Sequence, residues 1–354
     1  MRVVVVRPEE LGDAEIGTWR SMQRATTALG NPFLSPEFSL AAGRSRPTAR
    51  VAVLMDGQSI AGFFPFERGR LGNGAPICGW LTPCQGLIHA PDVEWDCQEL
   101  LQGCQLAAWQ FSNLAAGQKP FLPYQDTAVL SPVIELINGF ASYKAQLREK
   151  SPKFCKELER KERKLAHDVG SLRFVVGSCD PSVLGALMAW KSDQYRRTGM
   201  TDRFRFPWVI SLVEALLATR GRHVSGLQCA LYADGQLVAS QFGLRSGGLF
   251  AGWFTAYNPR FAKYSPGLIQ AIRLVEALAD AGVQTIEMGN GTAPYKEMLK
   301  SRDSFVGEGI VTRASMLAAV LRTERTTTRW AARLLNNHPP LYRATRPLRS
   351  AYRK

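Results

Sequence analysis

A fifteen-residue pattern occurs twice in this chain, half its length apart, and the repeat restricts the fold more than any other feature. Residues 52–66 read AVLMDGQSIAGFFPF and residues 230–244 read ALYADGQLVASQFGL. At a constant offset of 178, Ala52, Asp56, Gly57, Gln58, Ala61 and Phe64 recur as Ala230, Asp234, Gly235, Gln236, Ala239 and Phe242. Each copy holds an apolar run, an Asp-Gly turn and a second apolar run. That is a hairpin signature, because Asp and Gly tolerate the positive φ that two-residue hairpin loops demand. One such hairpin is common to many folds, but two with matching flanks predict two related α/β domains.

The flanks agree coarsely. In the first half, hydrophobic spacing predicts helices near 9–28 and 36–43 before the hairpin and a helix near 94–115 after it. In the second half, helices near 180–198 and 207–219 precede the hairpin and a third strand, LFAGWFTAYN, follows it. Then come a long helix in SPGLIQAIRLVEALADAG, a strand in VQTIEMGN and a short helix in YKEMLKS. The order ααβββαβα in each half predicts a mixed sheet flanked by helices. A chain of 354 residues is long enough for two such domains, each with its own core.

The charge divides the chain further. The net charge is +14, yet residues 313–354 alone hold ten basic residues and one acid, Glu324. A second concentration, Lys144 to Lys164, holds nine basic residues and four acids. It reads as an exposed helix opened by Ser151-Pro152, with Glu157/Lys161 and Glu159/Arg163 at i,i+4. The resulting division is an N-terminal domain over 1–140, a basic inter-domain helix over 141–170, a C-terminal domain over 171–312 and a basic tail over 313–354. Within the tail, residues 314–335 read as a helix with Arg322, Arg325, Arg329 and Arg333 on one stripe. Such a stripe is either a solvated face or an interfacial helix on anionic lipid, where each basic residue contributes about 1 kcal/mol. No recognised nucleic-acid signature accompanies the charge, which argues against a nucleic-acid partner.

Other classes are set aside. The start, MRVVVVRPEE, lacks the long apolar core of a signal peptide, and no stretch approaches the roughly 18 apolar residues of a membrane span. Seven cysteines, with no C-x-x-C, and four histidines argue against zinc and against a disulfide framework. A reduced cytoplasmic protein is expected, using no metal.

The stretch AGWFTAYNPRFAKYSPGLIQAIRLVEALADAG carries the most chemistry. An apolar strand ends at Tyr257, and a turn bearing Arg260 and Lys263 leads to a helix opened by Ser265, Pro266 and Gly267. Ser suits the N-cap and Pro the first turn. Gly267 lets a bulky group approach a helix N-terminus, where free N–H groups and the dipole favour an anion. An ordinary capped helix and a pyrophosphate site both fit this pattern.

Together with Tyr264-Ser265-Pro266-Gly267-Leu268, the later run E-M-G-N-G-T-A-P-Y-K, Glu287 to Lys296, resembles the Gcn5-related N-acetyltransferase (GNAT) superfamily. The sequence is most similar to the acetyltransferase-like group named for cellulose biosynthesis, itself similar to Fem-type peptidoglycan aminoacyltransferases. The resemblance spans roughly residues 140–312. It extends to the first half through the hairpin repeat and N-P-F-L-S-P-E-F, Asn31 to Phe38. It implies two tandem acetyltransferase-like domains, each a mixed, largely antiparallel sheet flanked by helices. It also implies acetyl-CoA or a longer acyl-CoA as cosubstrate, its pyrophosphate on the backbone at Lys263, Tyr264, Ser265, Gly267 and Leu268. Tyr295 stands where the superfamily often keeps a thiolate-protonating tyrosine, Lys296 follows it, and Glu287 is placed as a base where relatives usually carry Asp.

Gln241 occupies a hairpin position where many relatives have histidine; glutamine takes no proton at neutral pH but can orient a hydroxyl. Leu184, Leu187, Met188, Lys191 and Tyr195 share one helical stripe, so Lys191 interrupts an apolar face. Such a lysine either snorkels to solvent or marks an anion-binding cleft, with Trp190 and Arg196 nearby. Cys84 and His89 lie in Gly/Pro-rich loops, a non-specific pairing for a thiol nucleophile. The resemblance implies acyl-CoA-dependent transfer to an amine or hydroxyl of a small-molecule, glycan or lipid-linked acceptor at the inner membrane face. Two rivals are a Fem-like transferase using aminoacyl-tRNA and a non-catalytic, membrane-associated scaffold of the same fold.

Overall fold

The computed structural model describes residues 1–291 and 293–313. The predicted arginine-striped helix at 314–335 and the rest of the tail lie outside the described residues. The first half runs β1 (Arg2–Val6), α1 (Asp13–Ala25), α2 (Pro36–Ser45), β2 (Ala49–Asp56), β3 (Ser59–Arg68), β4 (Asn73–Pro76) and β5 (Ile88–His89). It finishes with α3 (Cys97–Gly103), β6 (Ala108–Leu114) and β7 (Gln125–Glu135). Two helices, α4 (Gly139–Lys150) and α5 (Pro152–Val169), lead into the second half. That half repeats the order with β8 (Leu172–Val176), α6 (Pro181–Thr198), α7 (Pro207–Ala218), β9 (Val224–Ala233), β10 (Gln236–Ser246) and β11 (Leu249–Tyr257). It closes with α8 (Pro266–Asp280), β12 (Thr285–Glu287), α9 (Pro294–Leu299) and β13 (Arg302–Thr312).

Both repeated hairpins form, as β2–β3 and β9–β10, and each carries a bulge next to its turn. The shared Asp-Gly-Gln tripeptide closes them differently. In the first, Asp56 pairs with Ser59 and only Gly57 has positive φ; in the second, Ala233 pairs with Gln236 and both Asp234 and Gly235 do. Ala52 therefore faces Phe64, while its counterpart Ala230 faces Ser240 rather than Phe242. The slip is two residues, so every side chain keeps its face.

The strands join in one mixed sheet, ordered β1-β2-β3-β4-β6-β13-β7-β12-β11-β10-β9-β8, with β5 beside β3. Its neighbours are antiparallel except for β4 with β6 and β11 with β12. These two parallel pairs occupy equivalent places in the two halves. The last strands are exchanged: β13 inserts between β6 and β7, and β7 pairs with β12.

The predicted helix near 94–115 is only α3, followed by β6. The Asp96 carboxylate caps α3 by accepting from the N–H groups of Gln98 and Glu99. Gly103 and the left-handed Gln105 (φ 54°) stop it. AWQFSNL then continues as a strand, burying Trp109 and Phe111 while Gln110 faces out. In the basic segment, α5 begins after Ser151 as expected, but Glu159 pairs with Arg148 of α4 rather than with the Arg163 guanidinium.

One core belongs to both halves. Trp19, Phe33, Phe38 and Phe63 of the first pack in the same cluster as Leu212, Phe242 and Phe254 of the second. Trp19 stacks on Phe63 with ring centroids 4.6 Å apart. Each large side chain so buried contributes roughly 1.5–3 kcal/mol, which fixes the halves against each other. Among the described residues no helix is long and apolar enough to cross a membrane.

Candidate active site

The site originates in a sheet defect. β11 and β12 pair only from Leu249–Ala251 to Thr285–Glu287, yet β11 continues to Tyr257. A bulge at Trp253, between the pairs Gly243↔Gly252 and Phe242↔Phe254, turns β11 where the two strands part. Beyond this point the edge of β11 facing the gap has no strand partner among the described residues. The opening is a cleft of about 370 Å³, lined by Gly252 to Tyr257 of β11, Ile286, Glu287 and Met288, the α8 face from Gly267 to Val275, and Lys191, Gln241 and Tyr295.

At one end the chain turns through a 3-10 segment, Pro259–Tyr264, into α8. Ser265 adopts the left-handed conformation (φ 55°) and does not cap α8 through its side chain. Its carbonyl accepts from the N–H groups of Leu268 and Ile269, while its hydroxyl accepts from Lys161 Nζ at 2.9 Å. Lys161 comes from α5, so the basic helix delivers a cation to this turn that sequence reasoning had not placed there. Ser265, Gly267 and Leu268 line the cleft. A Cβ at Gly267 would lie 3.4 Å from the Tyr257 ring, so the missing side chain keeps this end open. Tyr264 and Lys263 do not line it: Tyr264 is buried, donating its hydroxyl to Asp168, and Lys263 lies over the Tyr264 ring.

The other end holds Glu287, Tyr295, Gln241 and Lys191. Burial pushes the Glu287 carboxyl up from its ordinary value, opposed by a 2.6 Å hydrogen bond from Asn31 Nδ2. Asn31 is itself buried and oriented, because its Oδ1 accepts from the Phe33 N–H. Tyr295 is 37% exposed at the cleft edge, and its surroundings push the phenol up, so it stays protonated at neutral pH. Lys296 is buried and donates to the carbonyls of Gly289 (2.9 Å) and Asn290 (2.7 Å), tying down a turn in which Gly289 and Gly291 have positive φ. Gln241 reaches toward Gly252, where a Cβ would meet its Nε2 at 2.9 Å. Lys191 donates to Gln194 Oε1 and sits 5.3 Å from the Tyr195 ring. Desolvation brings both Lys191 and Lys296 down to about 8.

Three expected substrate contacts lie elsewhere. Trp190 packs against the shared core, Tyr195 is buried beneath Arg203, and Arg196 pairs with Asp193 and Asp202. Trp190 and Arg196 lie off the Lys191 stripe of α6 and Tyr195 packs inward from it, so of these α6 residues only Lys191 lines the cleft. The Cys84 thiol is buried and driven well above its ordinary value by desolvation and then by Glu287, which removes it as a nucleophile.

The first half braces the site from behind. Besides Asn31, the Leu81 carbonyl accepts from Trp253 Nε1 (3.0 Å) and Asn113 Oδ1 accepts from Asn290 Nδ2 (2.7 Å). In the sequence the Asn31 segment stands out only through the resemblance, which assigns Asn31 no role.

Residues 152–297 match the family model described as acetyltransferase (GNAT) domain. Comparison with curated proteins gives no match. Among solved structures the chain is similar to FemX, with 9% identity and TM-score 0.56 over 88% of this chain and 96% of that one. It is also similar to a tandem GNAT protein from the clavulanic acid biosynthesis pathway, with 11% identity and TM-score 0.50 over 88% and 98%. A C-terminal domain attributed to a lysylphosphatidylglycerol synthetase of Agrobacterium fabrum gives 12% identity and TM-score 0.50 over 89% and 95%. At such identities the likeness is one of fold: a mixed sheet flanked by helices, of the GNAT kind.

Proposed function

We propose that the protein is an acyl-CoA-dependent N- or O-acyltransferase. The observation that carries this reading is one continuous cleft running from the N-terminus of α8, between parted strands, to a protonated phenol and a buried carboxyl. The residues fit an acyl-CoA. The first turn of α8 and Lys161 favour its pyrophosphate, and the unpaired edge of β11 offers N–H and C=O groups to its amides. Coenzyme A, when bound, supplies the acyl group as a thioester. Glu287 accepts the proton of the attacking amine or hydroxyl, Gln241 orients the acceptor, and Tyr295 donates its proton to the departing sulfur. Lys296 positions Tyr295 by holding the turn before it.

The acceptor class we favour is an exopolysaccharide, envelope or lipid precursor, as in the cellulose-biosynthesis group, with the protein in the cytoplasm or peripheral at the inner membrane face. The likeness to a domain attributed to a lipid-modifying synthetase supports a lipid-linked member of that class. Thermal stabilisation by acetyl-CoA or a longer acyl-CoA, abolished by Gly267→Trp, is the expected result. No binding of any acyl-CoA overturns the reading, and label transfer only from aminoacyl-tRNA would replace it with the Fem-like one. Residues 313–354 are proposed to dock on anionic membrane; equal liposome flotation with and without them removes that proposal.

A further inference from the structure

Where the two halves meet beside the cleft, aromatic and arginine side chains interleave at the surface. Trp80, in the 3-10 turn Gly79–Leu81 of the first half, is 48% exposed. Opposite it the second half supplies Arg203, Phe206 and Trp208, from the 3-10 turn Arg203–Arg205 and the start of α7. The Arg203 guanidinium lies 4.7 Å from the Trp80 ring centre, and the Phe206 and Trp208 rings each lie 6.3 Å from it. Exposed Arg205 lies 4.8 Å from the Phe206 ring centre, and Arg46, already paired with Glu67, covers Trp208 at 4.5 Å. Exposed aromatic surface gathered from two parts of the chain marks an interaction surface.

The charge around the rings narrows the partner. Residues 196–208, RRTGMTDRFRFPW, hold four arginines and one acid, Asp202. Asp202 is engaged by Arg196 and Ser192 and accepts from the Phe204 N–H, which fixes the turn to α6. The surplus is positive, so the face repels a second copy of itself and attracts an anionic surface. Guanidiniums already lie over both indoles, where a nucleobase would stack. Tryptophan and arginine together suit the headgroup layer of a bilayer, the ring at the apolar boundary and the guanidinium on phosphate. The patch also adjoins the cleft. Arg203 lies 5.8 Å from the Tyr195 ring centre, and Lys191, which lines the cleft, lies 5.3 Å from the same ring. The Leu81 carbonyl, next to Trp80, holds Trp253 of the cleft wall.

We propose that Trp80, Arg203, Arg205, Phe206 and Trp208 dock the folded body on an anionic bilayer, at a surface separate from residues 313–354. For its purpose the proposal rests on the acyl-transfer reading: docking here brings a lipid-linked acceptor to the Lys191 end of the cleft without its leaving the membrane.

The test uses the full chain labelled with 5-fluorotryptophan and vesicles carrying a nitroxide lipid, with the reduced lipid as reference. Single Trp→Phe substitutions assign the eight tryptophan resonances, and fully buried Trp19 and Trp109 are the controls. On phosphatidylglycerol vesicles the Trp80 resonance is expected to broaden while both controls stay sharp. Arg205→Glu, at an exposed position, is expected to weaken partitioning roughly ten-fold, read from the Trp80 broadening as lipid is added. Broadening confined to Trp330 of the tail, or equal for Trp80 and the controls, overturns the proposal. Equal Trp80 broadening on neutral phosphatidylcholine vesicles overturns it as well. The measurement needs no acyl-CoA, so a protein that docks through Trp80 yet binds no acyl-CoA keeps the surface and loses only the acyl-transfer reading.

Discussion

Asn31 Nδ2 lies 2.6 Å from Glu287 Oε2, joining residues 256 positions apart across the two halves. The contact opposes the larger effect of burial: desolvation raises the carboxyl's pKa and the Asn31 hydrogen bond lowers it. Asn31→Leu removes the lowering influence, so the carboxylate forms only at higher pH. The acidic limb of the kcat/KM profile is expected to move upward, with little change in thermal stability beyond the roughly 1–3 kcal/mol of an unsatisfied buried group. An unmoved limb would mean that Glu287 is not the titrating base.

Tyr295→Phe keeps the ring and removes the proton. The expected outcome is a fall in kcat of about a hundred-fold with KM for acyl-CoA unchanged, measured by thiol release. A fall in affinity without a fall in kcat would assign the tyrosine to binding.

Lys161→Met tests the unforeseen cation at the α8 turn. One charge-assisted hydrogen bond is worth about 1.5 kcal/mol, so affinity for coenzyme A should weaken roughly ten-fold. Calorimetry at two salt concentrations checks this; a variant that binds as tightly as the parent excludes Lys161 from the cofactor site.

Desolvation of the half-buried Lys191 and the buried Lys296 also gives stability a pH dependence. Their pKa values of about 8 in the folded protein lie below the ordinary value of about 10.4 expected on unfolding. Between these values the unfolded chain binds more protons, so stability rises with pH over roughly 8 to 10, and the full penalty is present at neutral pH. Urea denaturation across that window should show the rise, and Lys191→Met with Lys296→Met should flatten it. Parallel curves would mean that the ammoniums are solvated.

The sequence made the β11-turn-α8 unit legible because each signal is local: an apolar strand, a basic turn, and Ser-Pro-Gly before an apolar helix. Ser265 shows the limit, since its hydroxyl meets Lys161 instead of capping the helix. The repeat predicts both hairpins but not that one tripeptide closes them in two ways. Residues 94–115 misled because α3 and β6 are both apolar and only Gly103 and Gln105 separate them. Asn31 and Trp253 acquire their roles from contacts across the halves, for which neighbouring residues carry no signal.

The exchange of β7 and β13 has a consequence for how the molecule is made. β6 waits for a neighbour, Arg302–Thr312, that is synthesised almost two hundred residues later, and β12 pairs with a strand completed long before it. Neither half can close its sheet from its own strands alone, so the closing pairings are long-range and wait until β13 has been made. A chain severed between β7 and α4 should yield two fragments that recover the fold only in each other's presence, as complementing partners rather than as two independent modules.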